Sequence, residues 1–170
     1  MAFDSGMQRK IMGHFATGVT VVTSGGEEPA GLTANSVTSL SLDPPLVLFA
    51  LAKKSGAQQA FRDSGCFAMS ILSSAQQEIS NRFAAPGPKE FSDLNTCTAE
   101  TGAPILAESM GWVDCRLSEV LEGGDHDIFI GEIVAGDILQ DGGEPLLYYA
   151  GGYREIATGQ QAGGDRSDRG

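Results

Sequence analysis

Three short stretches hold the side chains best suited to act on a ligand. Lys53-Lys54-Ser55 places two ammonium groups and a hydroxyl just before a segment that reads as a helix. Cations, hydroxyl and the first free helical N–H groups together would cradle an anion such as a phosphate. On the residues alone the plainer reading is favoured, a solvated lysine pair followed by an ordinary N-cap. The second stretch, Gly31-Leu-Thr-Ala-Asn-Ser-Val-Thr-Ser-Leu-Ser41, is a strand-like run crowded with hydroxyls and one amide. In a two-faced strand Thr33, Asn35 and Ser39 share one face. Such small polar side chains let a flat ligand approach the backbone; a half-exposed strand of no special purpose reads equally well. The third is Gly123-Gly-Asp-His126, which sets a histidine at the start of a strand between acids. Neighbouring carboxylates favour an imidazolium, and such a ring could bond a substrate amide or shuttle a proton. Taken alone it reads first as a turn histidine in solvent.

Metal chemistry and disulfides are not advertised. Cys66, Cys97 and Cys115 form no C-x-x-C pair, and their odd number fits a reducing compartment. Cys66 and Cys115 sit inside apolar runs and read as small buried hydrophobes. The two histidines, His14 and His126, are far apart, so no four-ligand zinc site is expected.

The elements that must position these groups are short. Met7, Ile11 and Phe15 recur at helical spacing, and Ser5 with Gln8 matches a capping box, which predicts a helix over residues 5–15. Residues 17–23 and 31–40 read as two strands joined by a Gly- and Pro-containing turn, a hairpin. Leu46 to Ala52 reads as a continuous apolar strand buried on both faces. A helix over 56–63 capped by Ser55 and ended by Gly65 follows, then a strand over 66–72. Ser73 with Gln76 caps a helix running to about Phe83. Residues 84–110 look irregular, and strands are expected over 112–121, 127–134 and 146–149. Six or more strands with only short helices argue for a mostly β, antiparallel barrel or sandwich, and no G-x-G-x-x-G, Walker A or G-x-S-x-G motif occurs.

The chain has 170 residues and a formal net charge of −11. That length allows one domain, expected over 1–157, and the Gly-, Gln-, Asp- and Arg-rich residues 158–170 read as a disordered tail. A nucleic-acid binder would carry the opposite charge. The longest apolar run is far short of the ~20 residues a membrane span needs, and no signal peptide is visible at the start, so a cytoplasmic protein away from membranes is expected. Charge is uneven. Residues 50–89 hold five basic against two acidic residues, whereas 112–150 hold nine acids against Arg116 alone.

Taken in order, several stretches resemble the flavin reductase family with an FMN-binding split β-barrel. They are Phe15-Ala-Thr-Gly-Val-Thr-Val-Val-Thr23, Gly31 through Leu46, Lys54-Ser55, Ser64 through Leu72, Arg82-Phe-Ala84, Gly124-Asp-His126 and Pro145 through Tyr149. The resemblance covers nearly everything from Phe15 to Arg154. It implies a split antiparallel Greek-key barrel, and an NAD(P)H:flavin oxidoreductase that supplies reduced flavin to a partner monooxygenase. It implies FMN or FAD as flavin, NADH or NADPH as hydride donor, and a homodimer with the flavin site at the subunit boundary. By the same resemblance Thr33, Ala34, Asn35 and Ser36 would line the ring and ribityl chain, and Ser39 and Leu40 would continue that wall. Lys53, Lys54 and Ser55 would meet the flavin phosphate, with Phe83 and Ala84 nearby. His126 would sit on the nicotinamide side and position the carboxamide. Tyr149 and Arg154 would lie near the cofactor or the dimer seam. Val37 stands where an aromatic is common in the family, and residues 85–110 match nothing in it. A flavin carrier or sensor, a reductase that retains its flavin, and an oxidase of a phosphorylated vitamer are the competing readings on the same barrel.

Overall fold

Asn35 interrupts the strand expected over 31–40, and the architecture follows from that break. The computed structural model describes residues 3–156, so the expected domain end at 157 and the tail 158–170 lie outside the described residues. Along the chain run α1 (Ser5–Met12), β1 (Thr17–Gly18), β2 (Thr20–Ser24), β3 (Gly31–Ala34), β4 (Val37–Leu42), β5 (Pro45–Ala52), α2 (Gln58–Ser64) and β6 (Cys66–Ile71). A 3-10 turn (Ser74–Gln76), α3 (Gln77–Ala84), β7 (Thr96–Cys97), β8 (Ile105–Leu106), β9 (Gly111–Gly123), β10 (His126–Ile138), β11 (Leu147–Tyr149) and β12 (Gly152–Arg154) complete the order. Seven strands form one antiparallel sheet in the order β3-β2-β6-β9-β10-β5-β4. Thus β3 and β4 lie at its opposite edges, although only Asn35 and Ser36 separate them.

Seven flat strands ~4.8 Å apart would hold their outer members about 29 Å apart. Three Cα–Cα steps from Ala34 to Val37 reach about 11 Å at most. The sheet must therefore curl until its edges nearly meet, which makes a split barrel rather than an open sheet. Ser36 fastens the seam to β5: its hydroxyl donates to the Ala50 carbonyl at 3.0 Å, and the Ala50 N–H donates to the Ser36 carbonyl at 3.2 Å. Register shifts between β9 and β10 at Ile130/Gly131 and Ile133/Ala135 mark bulges, which bend the two 13-residue strands around the barrel.

The barrel interior is aromatic. Phe49 packs on Phe61, Phe67 and Phe129 with ring centroids 5.1–5.4 Å apart, each ring at most 1% exposed. Such pairs add ~0.5–1.5 kcal/mol each beyond their buried area. Gly131 makes room for them, since a Cβ there would stand 2.3 Å from the Phe67 ring. A second apolar layer, Val19, Val21, Leu72, Phe83, Leu106 and Leu146, lies outside the barrel wall under α3 and the 91–106 segment.

These two layers correct which strand is doubly buried. It is β2, all five of whose residues are buried between the barrel core and the outer layer, as is its neighbour β6 from Cys66 to Ser70. Its polar members are satisfied: Thr20 Oγ1 donates to the Ala34 carbonyl and Thr23 Oγ1 to the Pro104 carbonyl. By contrast β5 buries only Val47, Phe49 and Leu51 fully, and its alternate residues are half-exposed. The strand expected over 17–23 is also divided. β1 pairs with β11, whereas β2 pairs with β3 and β6, so the chain changes sheets at Val19.

Local signals fare unevenly. Gly65 ends α2 in the left-handed conformation (φ 63°), and Ser73 with Gln76 does form the capping box. Asp4, not Ser5, caps α1 by accepting from the Met7 N–H at 2.7 Å, and the helix stops at Met12. Ser55 caps no helix; α2 begins three residues later, and Ser55 Oγ accepts from the Ala57 N–H in a turn instead. The region 84–110 contains the β7–β8 ribbon, fixed by the buried Asp114 carboxylate, which accepts from the Thr101 N–H at 2.8 Å and from its hydroxyl. Among the described residues no helix is long and apolar enough to cross a membrane.

Burial sorts the thiols. Cys115 is fully buried, and desolvation, with the Asp114 charge adding, pushes its pKa up to about 12; Cys66 is buried and Cys97 exposed. A thiol reagent at pH 8 is expected to label one cysteine in the native protein, Cys97, and all three in denaturant. Peptide mapping that found native Cys115 labelled at a comparable rate would contradict this packing.

Candidate functional site

The seam opens on a cleft of about 1190 Å³. This lies beyond the range of about 300–1,000 Å³ usual for one small ligand. One wall is β3 with the Asn35-Ser36 link. The end of β5, Ala50–Ala52, and the turn 54–57 form a second. Phe83, Ala84 and the segment 85–90 form the third, with Glu28–Ala30 and His126 at the rim. Much of this lining is Gly or Ala (Gly31, Ala34, Ala50, Ala52, Gly56, Ala57, Ala84, Ala85), so a planar ring system can lie against backbone.

Eight of the fourteen residues singled out from the sequence line this one cleft: Thr33, Ala34, Asn35, Ser36, Lys54, Ser55, Phe83 and Ala84; His126 joins them at the rim. Five do not. Ser39 and Leu40 lie on β4, exposed and past the seam, because the strand break sends them to the far edge of the sheet. Thr33, Asn35 and Ser39 therefore share no common strand face. Tyr149 lies on β11, where its hydroxyl meets His14 Nδ1 at 3.2 Å. Arg154 lies on β12, its guanidinium donating to the Tyr153 carbonyl. Lys53 is turned away by carboxylates, 3.4 Å from Glu122 and 3.7 Å from Asp127.

The hydroxyls are less free than their number suggests. Thr33 Oγ1 donates to the Ser80 carbonyl at 2.6 Å and so ties β3 to α3. Ser36 is spent on the seam. Both keep acceptor lone pairs for a ligand, whereas the Asn35 amide is exposed. At the rim, the Gly124-Asp125 turn carries Gly124 at φ 78°, which suits a tight hairpin. His126 Nδ1 lies 2.8 Å from the Asp125 carboxylate. That hydrogen bond, with the imidazole charge behind it, holds the Asp125 carboxyl below its ordinary value. It also fixes the ring and leaves Nε2 as the nitrogen open to a ligand.

The wall 85–90 had no sequence signal beyond Pro86-Gly87-Pro88, which reads only as irregular chain. It is held by charge from α3. Arg82 grips Asp93 with two hydrogen bonds of 2.7 and 2.8 Å and also donates to the Glu90 carbonyl. Arg82 holds the Asp93 carboxyl below its usual range. Lys89 donates to the Arg82 and Ala85 carbonyls at the end of α3, where a cation is favoured. Partial burial and the Arg82 charge push the Lys89 pKa down. Lys54 alone among the cleft lysines makes no ion pair or hydrogen bond through its ammonium among the described residues.

The family described as flavin reductase like domain matches residues 12–157. A Rhizobium meliloti (strain 1021) protein carrying a flavin reductase name is 41% identical over 89% of this chain and 49% of its own. The chain thus spans about half the length of that relative. The solved NADH:FAD oxidoreductase of Streptomyces globisporus C-1027 is 38% identical, with a TM-score of 0.86 over 92% of this chain and 96% of that one. The flavin reductase component of a bacterial two-component tryptophan halogenase is 35% identical, with a TM-score of 0.85 over 90% and 98%.

The cleft wall rests on Gly31, where a Cβ would stand 2.4 Å from Phe83 Cε1 and 3.3 Å from Phe91 Cζ. Gly31→Ala is expected to destabilise the protein by ~1–3 kcal/mol through overpacking and to displace the α3 wall. Urea unfolding checks this; an unchanged midpoint would mean that Phe83 does not bear on β3.

Proposed function

The chain belongs to the flavin reductase family, and we propose on that footing that its cleft binds FMN or FAD together with NADH or NADPH. The reaction is hydride transfer from the reduced nicotinamide, and the reduced flavin is handed to a partner monooxygenase, in the cytoplasm. The observation that carries this reading is the convergence, at one seam, of a backbone-lined wall for a flat ring, an unpaired lysine for a phosphate and a histidine on the rim. The volume suits two ring systems at once, which hydride transfer between ligands requires.

Bound flavin supplies the hydride-accepting chemistry; the protein binds and orients. Gly31, Ala34 and the Asn35-Ser36 link present backbone to the ring, with Asn35 free to bond its polar edge. Lys54 and Ser55 meet the phosphate. His126, with Nδ1 on Asp125, offers Nε2 to the nicotinamide carboxamide. A carboxamide has both an acceptor oxygen and a donor NH2, so Nε2 can bond it whether protonated or not. His126 is therefore a positioning group, not an essential acid or base. Release of reduced flavin calls for modest affinity; a micromolar Kd corresponds to about −8 kcal/mol.

A second copy of the chain completes the protein in this reading. Helix α1 buries none of its residues, while Phe3, Met7, Ile11, Met12 and Phe15 are each about half or more exposed. An eight-residue helix has little stability alone, and a contiguous apolar patch of this kind marks an interface. A homodimer covers it and is the setting in which Ser39, Leu40, Tyr149 and Arg154 would reach a partner's cleft. Light scattering is expected to give twice the chain mass.

Mixing the protein with NADH or NADPH and excess FMN or FAD should consume the nicotinamide rapidly; yellow colour without turnover would instead favour a flavin carrier. His126→Ala is expected to raise KM for NADH by about five- to tenfold, the worth of one hydrogen bond, with a smaller effect on kcat. An unchanged KM removes His126 from the nicotinamide site.

A further inference from the structure

Lys53 and Lys54 are neighbours in sequence with opposite fates, and one buried carboxylate decides between them. Asp127 is 6% exposed and spends both carboxylate oxygens on cations: Oδ2 accepts from Arg62 at 2.7 Å, and Oδ1 lies 3.7 Å from Lys53 Nζ. Arg62 also lies over the Phe129 ring, 5.4 Å from its centroid. Glu122 holds Lys53 from the solvent side at 3.4 Å. Asp127 and His126 are adjacent on β10 and so point to opposite faces; His126 lines the cleft, and Asp127 stands behind the turn that borders it. Three cations (Lys53, Lys54, Arg62) and three carboxylates (Glu122, Asp125, Asp127) thus surround this turn. Among the described residues, Lys54 is the one of these three cations with no ion pair or hydrogen bond through its charged end.

We propose that Asp127 is a specificity-determining residue that silences Lys53 and Arg62, leaving Lys54 as the single cation that grips a ligand phosphate. The proposal rests on the flavin reading above. Its consequence is a deliberately weak phosphate grip, which suits a site that must let a phosphorylated product go.

The backbone of the turn does not depend on Asp127. The Lys53 N–H donates to the Asp125 carbonyl and the Ser55 N–H to the Ala52 carbonyl, both at 2.9 Å. Gln58 Nε2 donates to the Leu51 and Ala52 carbonyls at 3.0 and 3.2 Å. Asp127→Asn keeps the shape of the side chain and removes its charge. Arg62 then loses its counterion and Lys53 keeps only the exposed Glu122, and their side chains, 40% and 39% exposed, are not trapped in a dry interior. Their field reaches a phosphate at Lys54, within a Debye length of about 10 Å at 0.1 M salt.

The test compares Kd for FMN and for riboflavin, which differ by the phosphate, by flavin fluorescence at low ionic strength. Four variants are used, each checked for a native melting transition. Lys54→Met should lower the preference for FMN over riboflavin about tenfold, and Lys53→Met should leave it within about twofold. Asp127→Asn should raise it about three- to tenfold, and adding Lys53→Met to Asp127→Asn should remove much of that gain. A purely structural Asp127 would weaken both ligands alike and leave the ratio unmoved, and that result overturns the proposal. So does a Lys53→Met variant that loses the preference as Lys54→Met does, a comparison that decides the matter even where Asp127→Asn fails to fold. A Lys54→Met variant with an intact ratio would instead overturn the phosphate assignment itself.

Discussion

Two residues, Asn35 and Ser36, have to bridge the two edges of a seven-stranded sheet. No flat sheet allows that, so the strands curl until the edges approach, and the Ser36 hydrogen bonds to Ala50 hold the seam. The edges do not zip together along their length, because β3 pairs with β2 and β4 with β5. What remains between them is the cleft. The cleft is therefore the unfilled remainder of barrel closure, which explains why its walls are mostly backbone and small side chains rather than a cage of polar groups.

Around this seam the protein assigns its charges by pairing. The chain is strongly acidic, and the acidic hairpin β9–β10 engages the cations beside Lys54. Glu122 and Asp127 take Lys53, Asp127 takes Arg62, and Asp125 takes His126. On the opposite wall Arg82 is committed to Asp93 and Lys89 to the end of α3. Of the five basic residues that the segment 50–89 contains, Lys54 is the one with no ion pair or hydrogen bond through its charged end among the described residues.

The hydrogen bonds of the cleft show the same economy. Thr33 and Ser36 give their protons to the framework, tying β3 to α3 and the seam to β5, and retain only lone pairs toward the cavity. In the proposed reading the orienting work then falls to Asn35, Lys54, Ser55 and His126. The exposed apolar residues of α1 lie outside this system.

Signals that act within a few residues were legible in the sequence. Gly65 ends α2, Ser73 and Gln76 close a capping box, and Gly124-Asp125 turns β9 into β10, because each depends on one residue's conformational freedom or on a bond to a near neighbour. The mostly β character and the buried Cys66 and Cys115 could also be read from residue type and order, whereas Thr33 to Ser36, Lys54, Ser55 and His126 are singled out by the family resemblance, and the structure brings them to one cleft. Tertiary structure decided the rest. Whether 31–40 is one strand or two depends on which neighbours β3 and β4 pair with, whereas the burial of β2 on both sides and which of two adjacent lysines is ion-paired depend on partners about 40 to 75 residues away. The wall at 85–90 belongs to the site only because Arg82 and Lys89 fold it back against α3. Sequence records which groups a chain owns; distance between groups, which sets both pairing and charge neutralisation, comes into being only when the sheet curls.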